Sequence, residues 1–201
     1  MVKYRLMFTA EMQNIKTLQP ARGISDPGFN YYIKMKCGSC GELTKKDISV
    51  NSKKKVSASW NSPNLVMKCK YCEKVGTVTV ISGTGKPLTQ ELSERGKSAP
   101  LMELDCKGYE PVEFMFGSGW KAESIAGTKF EDIDLSDDGE FAEYDEKGGC
   151  PVTIYNLHAT FDVLMSDFKE MLFAYEIRKL ERVRWEVEQR RAKKEENEFH
   201  Q

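Results

Sequence analysis

Four of the six cysteines form two C-x-x-C pairs, Cys37 with Cys40 and Cys69 with Cys72. Each pair follows the dipeptide Met-Lys, so M-K-C-x-x-C occurs twice, and 28 residues separate the pairs. Two intervening residues let both sulfurs of a pair turn to the same side of a tight turn. Two such turns that face each other complete a tetrahedron around a metal ion. The spacing therefore predicts one Zn²⁺ bound by the thiolates of Cys37, Cys40, Cys69 and Cys72.

The donor set limits what this ion can do. Soft thiolates favour zinc or iron over magnesium or calcium, and four cysteines do not by themselves separate Zn²⁺ from mononuclear iron. A redox pair of the thioredoxin type needs a helix that starts at its first thiol, and Gly38, Ser39 and Gly41 disfavour a helix there. A catalytic zinc keeps one coordination position open, whereas four thiolates fill them all. The pattern favours a structural site.

The other candidates for chemistry are two cysteines and two histidines. Cys106 and Cys150 have no ligand-like neighbours in sequence and are predicted to be buried structural thiols, with a redox or transient metal-binding role as the alternative. His158 lies on a predicted strand and His200 in the C-terminal tail, so neither is expected to be a ligand. Residues 83–86 lack the spacing of a phosphate-binding loop. We predict no catalytic residues and no enzymatic activity.

Most of the chain before residue 160 shows strand patterns. Residues 2–12 alternate apolar and polar side chains, with only Met7 out of pattern. Further strands are predicted at 29–36, 77–81, 101–106, 112–116 and 152–161. Residues 83–100, with two prolines and three glycines, are predicted to be a linker, and the later strands to be separated by acidic loops. These patterns predict a mainly β fold, an antiparallel β-sandwich-like body with an embedded zinc-ribbon-like site of four cysteines.

The C-terminal part has a helical pattern instead. Residues 163–198 contain neither glycine nor proline, and Asp162 or Ser166 is a candidate N-cap. One apolar stripe is formed by Phe168, Leu172, Tyr175, Leu180, Val183 and Val187. Too few apolar residues follow residue 177 to sustain coiled-coil heptads. We expect a β-rich zinc-binding domain over 1–162, with its zinc knuckles within 29–82, and a long, amphipathic and charged C-terminal α-helix over 163–201.

Charge is unevenly distributed, although the net charge is only −1. Residues 34–75 carry ten lysines against three acidic residues, and residues 99–150 carry fourteen acidic residues against four lysines. Two such regions of one fold can neutralise each other, and the alternative is a basic surface that binds phosphate or an acidic partner. No apolar run approaches the roughly 18 residues that span a bilayer. With no signal-peptide pattern at the N-terminus, we expect a cytoplasmic protein, or a nuclear one, without a membrane segment.

Several motifs together resemble the eukaryotic CXXC-motif-containing zinc-binding protein family. They include residues 32–42 (YIKMKCGSCGE), 68–72 (KCKYC) and 106–114, where CKGYEPVEF is similar to the family segment E-C-R-G-x-E-P-V-x-F. Residues 130–135 and 144–147 also resemble family landmarks, so the resemblance covers about residues 1–162. It implies an all-β fold, a zinc ion held by the four cysteines and no assigned activity. The basic stretch at 51–59 and the C-terminal extension depart from the family.

Three functions remain open at this stage. The first is a non-catalytic, zinc-stabilised module that binds a partner protein. The second is a metal- or thiol-handling protein in which Cys106 and Cys150 are exchangeable. The third, which we consider weakest, is nucleic-acid binding through Lys45, Lys46 and the lysines at 53–55, because the sequence pI is about 6.2 and few aromatic residues lie among these lysines. A small-molecule substrate is not expected.

Overall fold

The computed structural model describes residues 1–57, 62–136 and 139–164, which form thirteen strands and one short helix. In chain order these are β1 (Val2–Gln13), β2 (Ile15–Pro20), β3 (Tyr31–Cys37), β4 (Ile48–Val50), β5 (Leu65–Lys68), β6 (Val75–Ile81), β7 (Leu88–Thr89), α1 (Gln90–Glu94), β8 (Ala99–Lys107), β9 (Tyr109–Met115), β10 (Ser118–Ser124), β11 (Lys129–Asp134), β12 (Phe141–Asp145) and β13 (Cys150–Leu164). They form three sheets, ordered β12-β13-β1-β8-β6-β5, β11-β10-β2-β7 and β4-β3-β9. The paired strands are antiparallel. The predicted mainly β, antiparallel fold is confirmed.

The alternating N-terminal segment forms β1, in the interior of the six-stranded sheet. Its even-numbered side chains from residue 4 onward are buried, namely Tyr4, Leu6, Phe8, Ala10 and Met12. β1 pairs with β13 on one side and with β8 on the other, so that Lys3 lies opposite both Leu164 and Asp105. Because burying each large apolar side chain contributes roughly 1.5–3 kcal/mol, the alternation fixes which face of the strand meets the core.

An aromatic cluster joins strands of different sheets around Trp120 of β10, whose side chain is fully buried. Its ring centroid lies 5.8 Å from that of Phe8, 5.4 Å from that of Phe29 and 5.6 Å from that of Phe116. The indole N–H donates to the backbone carbonyl of Phe116 at 2.9 Å, so its polar atom is satisfied inside the core. The sheets therefore share one hydrophobic core.

The predicted linker at 83–100 is wrong, because this segment contains β7, α1 and the start of β8. Leu88 is fully buried, and Thr89 caps the helix by accepting from the N–H of Leu92. Ser93 ties the helix to β1, since its hydroxyl donates to the carbonyl of Ala10 and accepts from the N–H of Met12. Only a few residues of this segment are apolar, and they pack inward, while the remaining residues are polar and cover its outer side. Its composition therefore resembles that of a linker.

The predicted acidic loops after β9 are also wrong, because they contain β10, β11 and β12. In β10, Trp120 and Ala122 are buried in the core, and in β11 Ile133 is buried while Phe130 is half-buried against the core. The acidic side chains of these strands are exposed or half-buried, except for Asp145 of β12, which is buried. So few buried apolar side chains per strand form too weak a pattern to separate a strand from a loop by sequence alone.

Residues Met1–Leu164 form one compact unit. β13 continues to Leu164, so Val163 and Leu164 belong to a strand and not to the start of the predicted helix. The rest of that helix, residues 165–201, lies outside the described residues, and the domain division at 162 stays a prediction. Among the residues that the structure describes, no helix has the length and apolar character needed to cross a membrane.

Candidate metal centre

The four cysteines of the two C-x-x-C pairs come together in space, and all four sulfur atoms lie within 4.8 Å of one another. The sulfur of Cys37 lies 3.7 Å from that of Cys72, and the sulfur of Cys40 lies 3.6 Å from that of Cys69. A zinc ion bound at about 2.3 Å to four tetrahedral thiolates separates the sulfurs by about 3.8 Å. The donor set and its spacing therefore fit one tetrahedral Zn²⁺.

The first C-x-x-C turn, or first knuckle, follows directly from β3. Cys37 is the last residue of that strand, and its N–H donates to the carbonyl of Glu42 at 2.8 Å. The N–H of Gly41 returns to the carbonyl of Cys37 at 2.8 Å, and Gly41 has φ of +79°. Glycine adopts this left-handed conformation without a Cβ penalty, which lets the chain reverse immediately after Cys40.

The second knuckle lies between β5 and β6 and repeats the same backbone geometry. The N–H of Cys69 donates to the carbonyl of Lys74 at 2.9 Å, and the N–H of Glu73 donates to the carbonyl of Cys69 at 3.0 Å. Glu73 holds the position equivalent to Gly41 and has φ of +60°. The two knuckles are therefore equivalent turns, with the left-handed residue a glycine in one and a glutamate in the other.

The turn between β8 and β9 packs against both knuckles. Its Gly108 accepts a hydrogen bond from the N–H of Gly38 at 3.1 Å. A Cβ on Gly76 of β6 would lie 2.4 Å from the carbonyl oxygen of Lys107 and 2.5 Å from the ring of Tyr109, so β6 passes in direct contact with this turn. The family-like segment at 106–114 thus contacts the metal centre, although it contains no ligand.

Tyr109 is the functional residue that sequence reasoning missed. It pairs with Cys37 in the β3–β9 ladder and is 5% exposed, and its phenol lies beside the thiol of Cys69. Burial, followed by the negative charge of Cys69 and Cys37, raises the pKa of Tyr109 to about 12, so the phenol remains a donor at neutral pH. The sequence could have pointed to Tyr109 only through its position in the family-like segment 106–114. The pairing of β3 with β9 is what places it beside the thiols.

Backbone amides stabilise two of the thiolates. The N–H groups of Ser39 and Cys40 donate to Cys37 and lower its pKa, and those of Cys72 and Tyr71 lower the pKa of Cys69 to about 6. The N–H of Glu42 acts on Cys40 in the same direction, but partial desolvation of the sulfur and hydrogen bonds to the other three thiols outweigh it and raise the pKa of Cys40 to about 12. Four thiolates at this spacing need a bound cation to ionise together.

Surface ion pairs connect the basic and acidic regions near this centre. Lys34 lies 2.7 Å from Glu113, and Lys36 lies 3.5 Å from Glu110, where β3 pairs with β9. In these two contacts a lysine of the basic region 34–75 is neutralised by a glutamate of the acidic region 99–150, which is one of the two alternatives for the uneven charge. Such exposed pairs contribute little to stability, typically below about 1 kcal/mol.

The remaining sequence candidates lie apart from the centre. Cys106 is buried, as predicted, and burial together with the neighbouring Asp105 raises its pKa to about 12. Cys150, which was also predicted to be buried, is only half-buried at the start of β13, and His158 of the same strand lies opposite Thr9 of β1. Within the described ranges, no other group of three or more cysteine, histidine or acidic side chains is arranged to hold a metal ion.

Comparison with known proteins places this architecture in a family. Residues 5–162 match the family model described as CXXC motif containing zinc binding protein, eukaryotic. The Homo sapiens protein of that name is 35% identical over 164 residues, which cover 80% of this chain and 98% of the relative. The Xenopus laevis protein of the same name is 31% identical over 164 residues, with the same coverage of 80% and 98%.

Solved structures agree with this assignment. The structure titled "Crystal Structure of C1orf123" superposes with a TM-score of 0.70 at 33% identity and covers 80% of this chain and 98% of its own. A hypothetical protein from Plasmodium falciparum superposes with a TM-score of 0.67 at 18% identity, over 81% of this chain and all of its own, and so shows the same fold. With the four-cysteine cluster and these matches together, the chain belongs to the eukaryotic CXXC motif containing zinc binding protein family.

Proposed function

We propose that the protein is a non-catalytic protein-interaction module whose metal centre is a closed structural Zn²⁺ site. The single observation that carries the proposal is the convergence of Cys37, Cys40, Cys69 and Cys72 within 4.8 Å. When bound, the ion supplies a covalent-like cross-link between the two knuckles. The backbone amides that donate to the thiols, and the hydroxyl of Tyr109, orient the ligands.

A structural role for the ion follows from the number of protein ligands. Four thiolates fill a tetrahedral zinc, whereas a catalytic zinc keeps a position for water or substrate. The family name supports zinc as the ion. The proposed interaction role is supported by the uneven charge of the chain and by the added C-terminal residues, which lie beyond the region matched by the family model.

Elemental analysis of protein purified without added metal tests the zinc site. We expect one zinc per chain, and four thiols that react with a thiol reagent only after a strong chelator is added. A Cys40→Ser variant should bind zinc more weakly, and a Cys150→Ser variant, which leaves the centre intact, is its control. Metal-free protein with the two C-x-x-C pairs oxidised would contradict the proposal.

Partner capture tests the interaction role. The full chain, loaded with zinc and carrying a photo-crosslinking group, should capture the same protein in repeated experiments. The same experiment with residues 165–201 removed shows whether the extension contributes to binding. Reproducible absence of any partner under both conditions would contradict the role.

A metal- or thiol-handling function is a second candidate, because Cys40 is exposed and Cys72 is only half-buried. The ligands on that side can be reached by an external thiol or by a metal acceptor. Zinc transfer to an apo-acceptor protein within minutes, without loss of β structure, would favour this function. Zinc retained for hours would favour the closed structural site.

A further inference from the structure

An open groove of about 450 Å³ lies beside the metal centre, between the segments that carry the two knuckles. One wall is formed by residues 42–46 and Ile48, which follow the first knuckle, and the other by residues 67–70, which lead into the second. Tyr109 also lines it. We call this feature the lysine-rimmed groove.

The groove exposes apolar surface. Leu43 is 48% exposed, and Ile48 and Met67 are only half-buried although they pack against the core. These three side chains come from both walls, so one occupant can cover them together. Covering this apolar surface removes it from water, which gives an apolar occupant a driving force.

The rim of the groove is positively charged. Lys45, Lys46, Lys68 and Lys70 line it, against the single carboxylate of Glu42. Lys68 has an ion pair with Glu73 at 3.3 Å. Within the described part of the chain, no carboxylate lies at ion-pair distance from Lys45, Lys46 or Lys70. An occupant with carboxylates can supply the missing partners.

We propose that the lysine-rimmed groove binds an acidic, amphipathic peptide segment of a partner protein. Its apolar side chains cover Leu43, Ile48 and Met67, and its carboxylates pair with Lys45, Lys46 and Lys70. This inference rests on the proposed interaction function and specifies the chemistry of the partner. A nucleic acid fits less well, because single strands are held by stacking on exposed aromatic rings and the aromatic residue in the groove, Tyr109, is buried.

The groove depends on the metal centre without including the metal. Thr44 in the first wall is tied to β3, since its N–H donates to the carbonyl of Met35 at 2.8 Å and its hydroxyl accepts from the N–H of Met35. Cys69 belongs to the second wall and is one of the four converging thiols. Because the ion joins the two walls, its removal should widen the groove and weaken peptide binding.

Peptide selection on the zinc-loaded full chain tests the proposal. A library of random peptides of about twelve residues is selected, and the affinity of the enriched peptides is measured by fluorescence anisotropy. We expect net negative peptides with at least two large apolar residues. Binding should weaken as salt increases, and also when apolar residues of the peptide are replaced by serine. Enrichment of neutral or basic peptides would overturn the proposal.

Matched variants locate the binding site. We expect the double variant Lys45→Glu and Lys46→Glu to weaken binding at least about tenfold, and Leu43→Ser to have an effect of similar size. The control is Lys53→Glu with Lys54→Glu, which changes the charge equally outside the groove and should change affinity less than about twofold. All variants are first checked for one zinc per chain and an unchanged circular dichroism spectrum. An equal effect of the control pair would overturn the groove assignment.

The outcomes separate this inference from the proposed function. If selected peptides bind but the groove variants do not weaken them, the groove assignment fails and the interaction function stands. If no peptide is enriched and no partner is captured, both fail. An oligonucleotide that binds with the same lysine dependence and displaces the peptide, or a dimer of the chain that is lost in Leu43→Ser, would assign the groove to a different occupant.

Discussion

At the scale of single residues, the candidate metal centre involves more groups than its four candidate ligands. The phenol of Tyr109 lies beside the thiol of Cys69, and the carbonyl of Gly108 accepts from the N–H of Gly38. Groups that hydrogen-bond to metal ligands orient them and typically change metal affinity by about 10- to 100-fold. Tyr109 is therefore the residue outside the ligand set for which we expect the largest effect on metal binding.

Replacing Tyr109 by phenylalanine keeps the buried ring and removes only the hydroxyl. We expect zinc to be released to a chelator about tenfold faster, because the Cys69 thiolate loses a hydrogen-bond donor. The release is followed with a colorimetric zinc indicator. Tyr144→Phe, at a residue 59% exposed, is the control and should match the wild type. Equal release rates in all three proteins would show that the hydroxyl does not support the site.

The left-handed residues of the two knuckles allow a reciprocal test. Gly41 has φ of +79°, and a Cβ at this position would meet no other atom within 4 Å. Gly41→Ala should therefore lower the unfolding free energy by about 1 kcal/mol, from backbone strain alone. Glu73 has φ of +60°, so Glu73→Gly should relieve strain and stabilise the protein by about 0.5 kcal/mol. Urea unfolding of the zinc-loaded proteins measures both. Effects of the same sign would contradict the equivalence of the two turns.

At the scale of elements, the site depends on how closely β6 approaches the β8–β9 turn. The two strands β6 and β8 are paired, and Gly76 faces the turn where any side chain would meet backbone. The second knuckle is attached to β6, so this contact sets its distance from the first knuckle. The β8–β9 hairpin and the strand that follows the second C-x-x-C pair are thus packed as one unit.

Gly76→Ala is expected to be strongly destabilising, on the order of 3 kcal/mol, because its Cβ would lie 2.4 Å from the carbonyl oxygen of Lys107. The shift needed to relieve the clash should also weaken zinc binding. Gly28→Ala, where a Cβ would lie 3.4 Å from Asp26, is the matched control and should have a small effect. Thermal melting and zinc titration measure the two consequences. A Gly76→Ala protein as stable as the control would contradict the close packing.

At the scale of the whole molecule, two kinds of interaction connect the strands at separate places: the candidate metal centre and the hydrogen bonds of a buried carboxylate. The metal centre joins the knuckles, and a buried carboxylate, Asp145, joins β12 to the turn after β10. Asp145 accepts from the hydroxyl of Thr128 at 2.5 Å and from the N–H of Lys147 at 3.0 Å. Hydrogen bonds from Ser124, then Thr128, lower its pKa to about 2.

This carboxylate should make stability depend on acidity. Its folded-state pKa is below the ordinary value of 3.8, so its contribution is complete above that value and is lost as the pH falls towards about 2. We expect Asp145→Asn to lower the urea midpoint at pH 7, and the difference from the wild type to shrink between about pH 5 and pH 2. Both proteins contain the same four cysteines, so acid affects their thiols equally. The difference between the two urea midpoints therefore reports on Asp145 alone. A difference that stays constant over this range would contradict the assignment.

Removing zinc should destabilise the protein without unfolding it completely. The core around Trp120 and Phe8 lies in strands that contain no ligand, so we expect the β body to persist. Chelation should lower the melting temperature by roughly 10 °C or more, because ligand binding stabilises by several kcal/mol. Hydrogen exchange should then increase mainly at residues 36–44 and 66–76. Complete loss of the β circular dichroism signal on chelation would contradict this expectation.

Sequence patterns predicted the parts of the fold that rest on local regularity. The alternation in residues 2–12 identified β1 correctly because a strand with one buried face repeats every two residues. The segment at 83–100 and the acidic edge strands were misassigned because few of their side chains are buried. Their strand pairing comes from neighbours far along the chain, such as Thr17 opposite Thr89 in the ladder of β2 and β7.

The sequence by itself determined the four candidate ligands, the family and the central strand, because each depends on spacing within a few residues. Only the tertiary structure brought the two knuckles into contact and placed Tyr109 and the β8–β9 turn against them. It also opened the lysine-rimmed groove between residues 42–48 and 67–70. These features arise where strands distant in sequence pair and pack, and neither composition nor local periodicity specifies which strands will become neighbours.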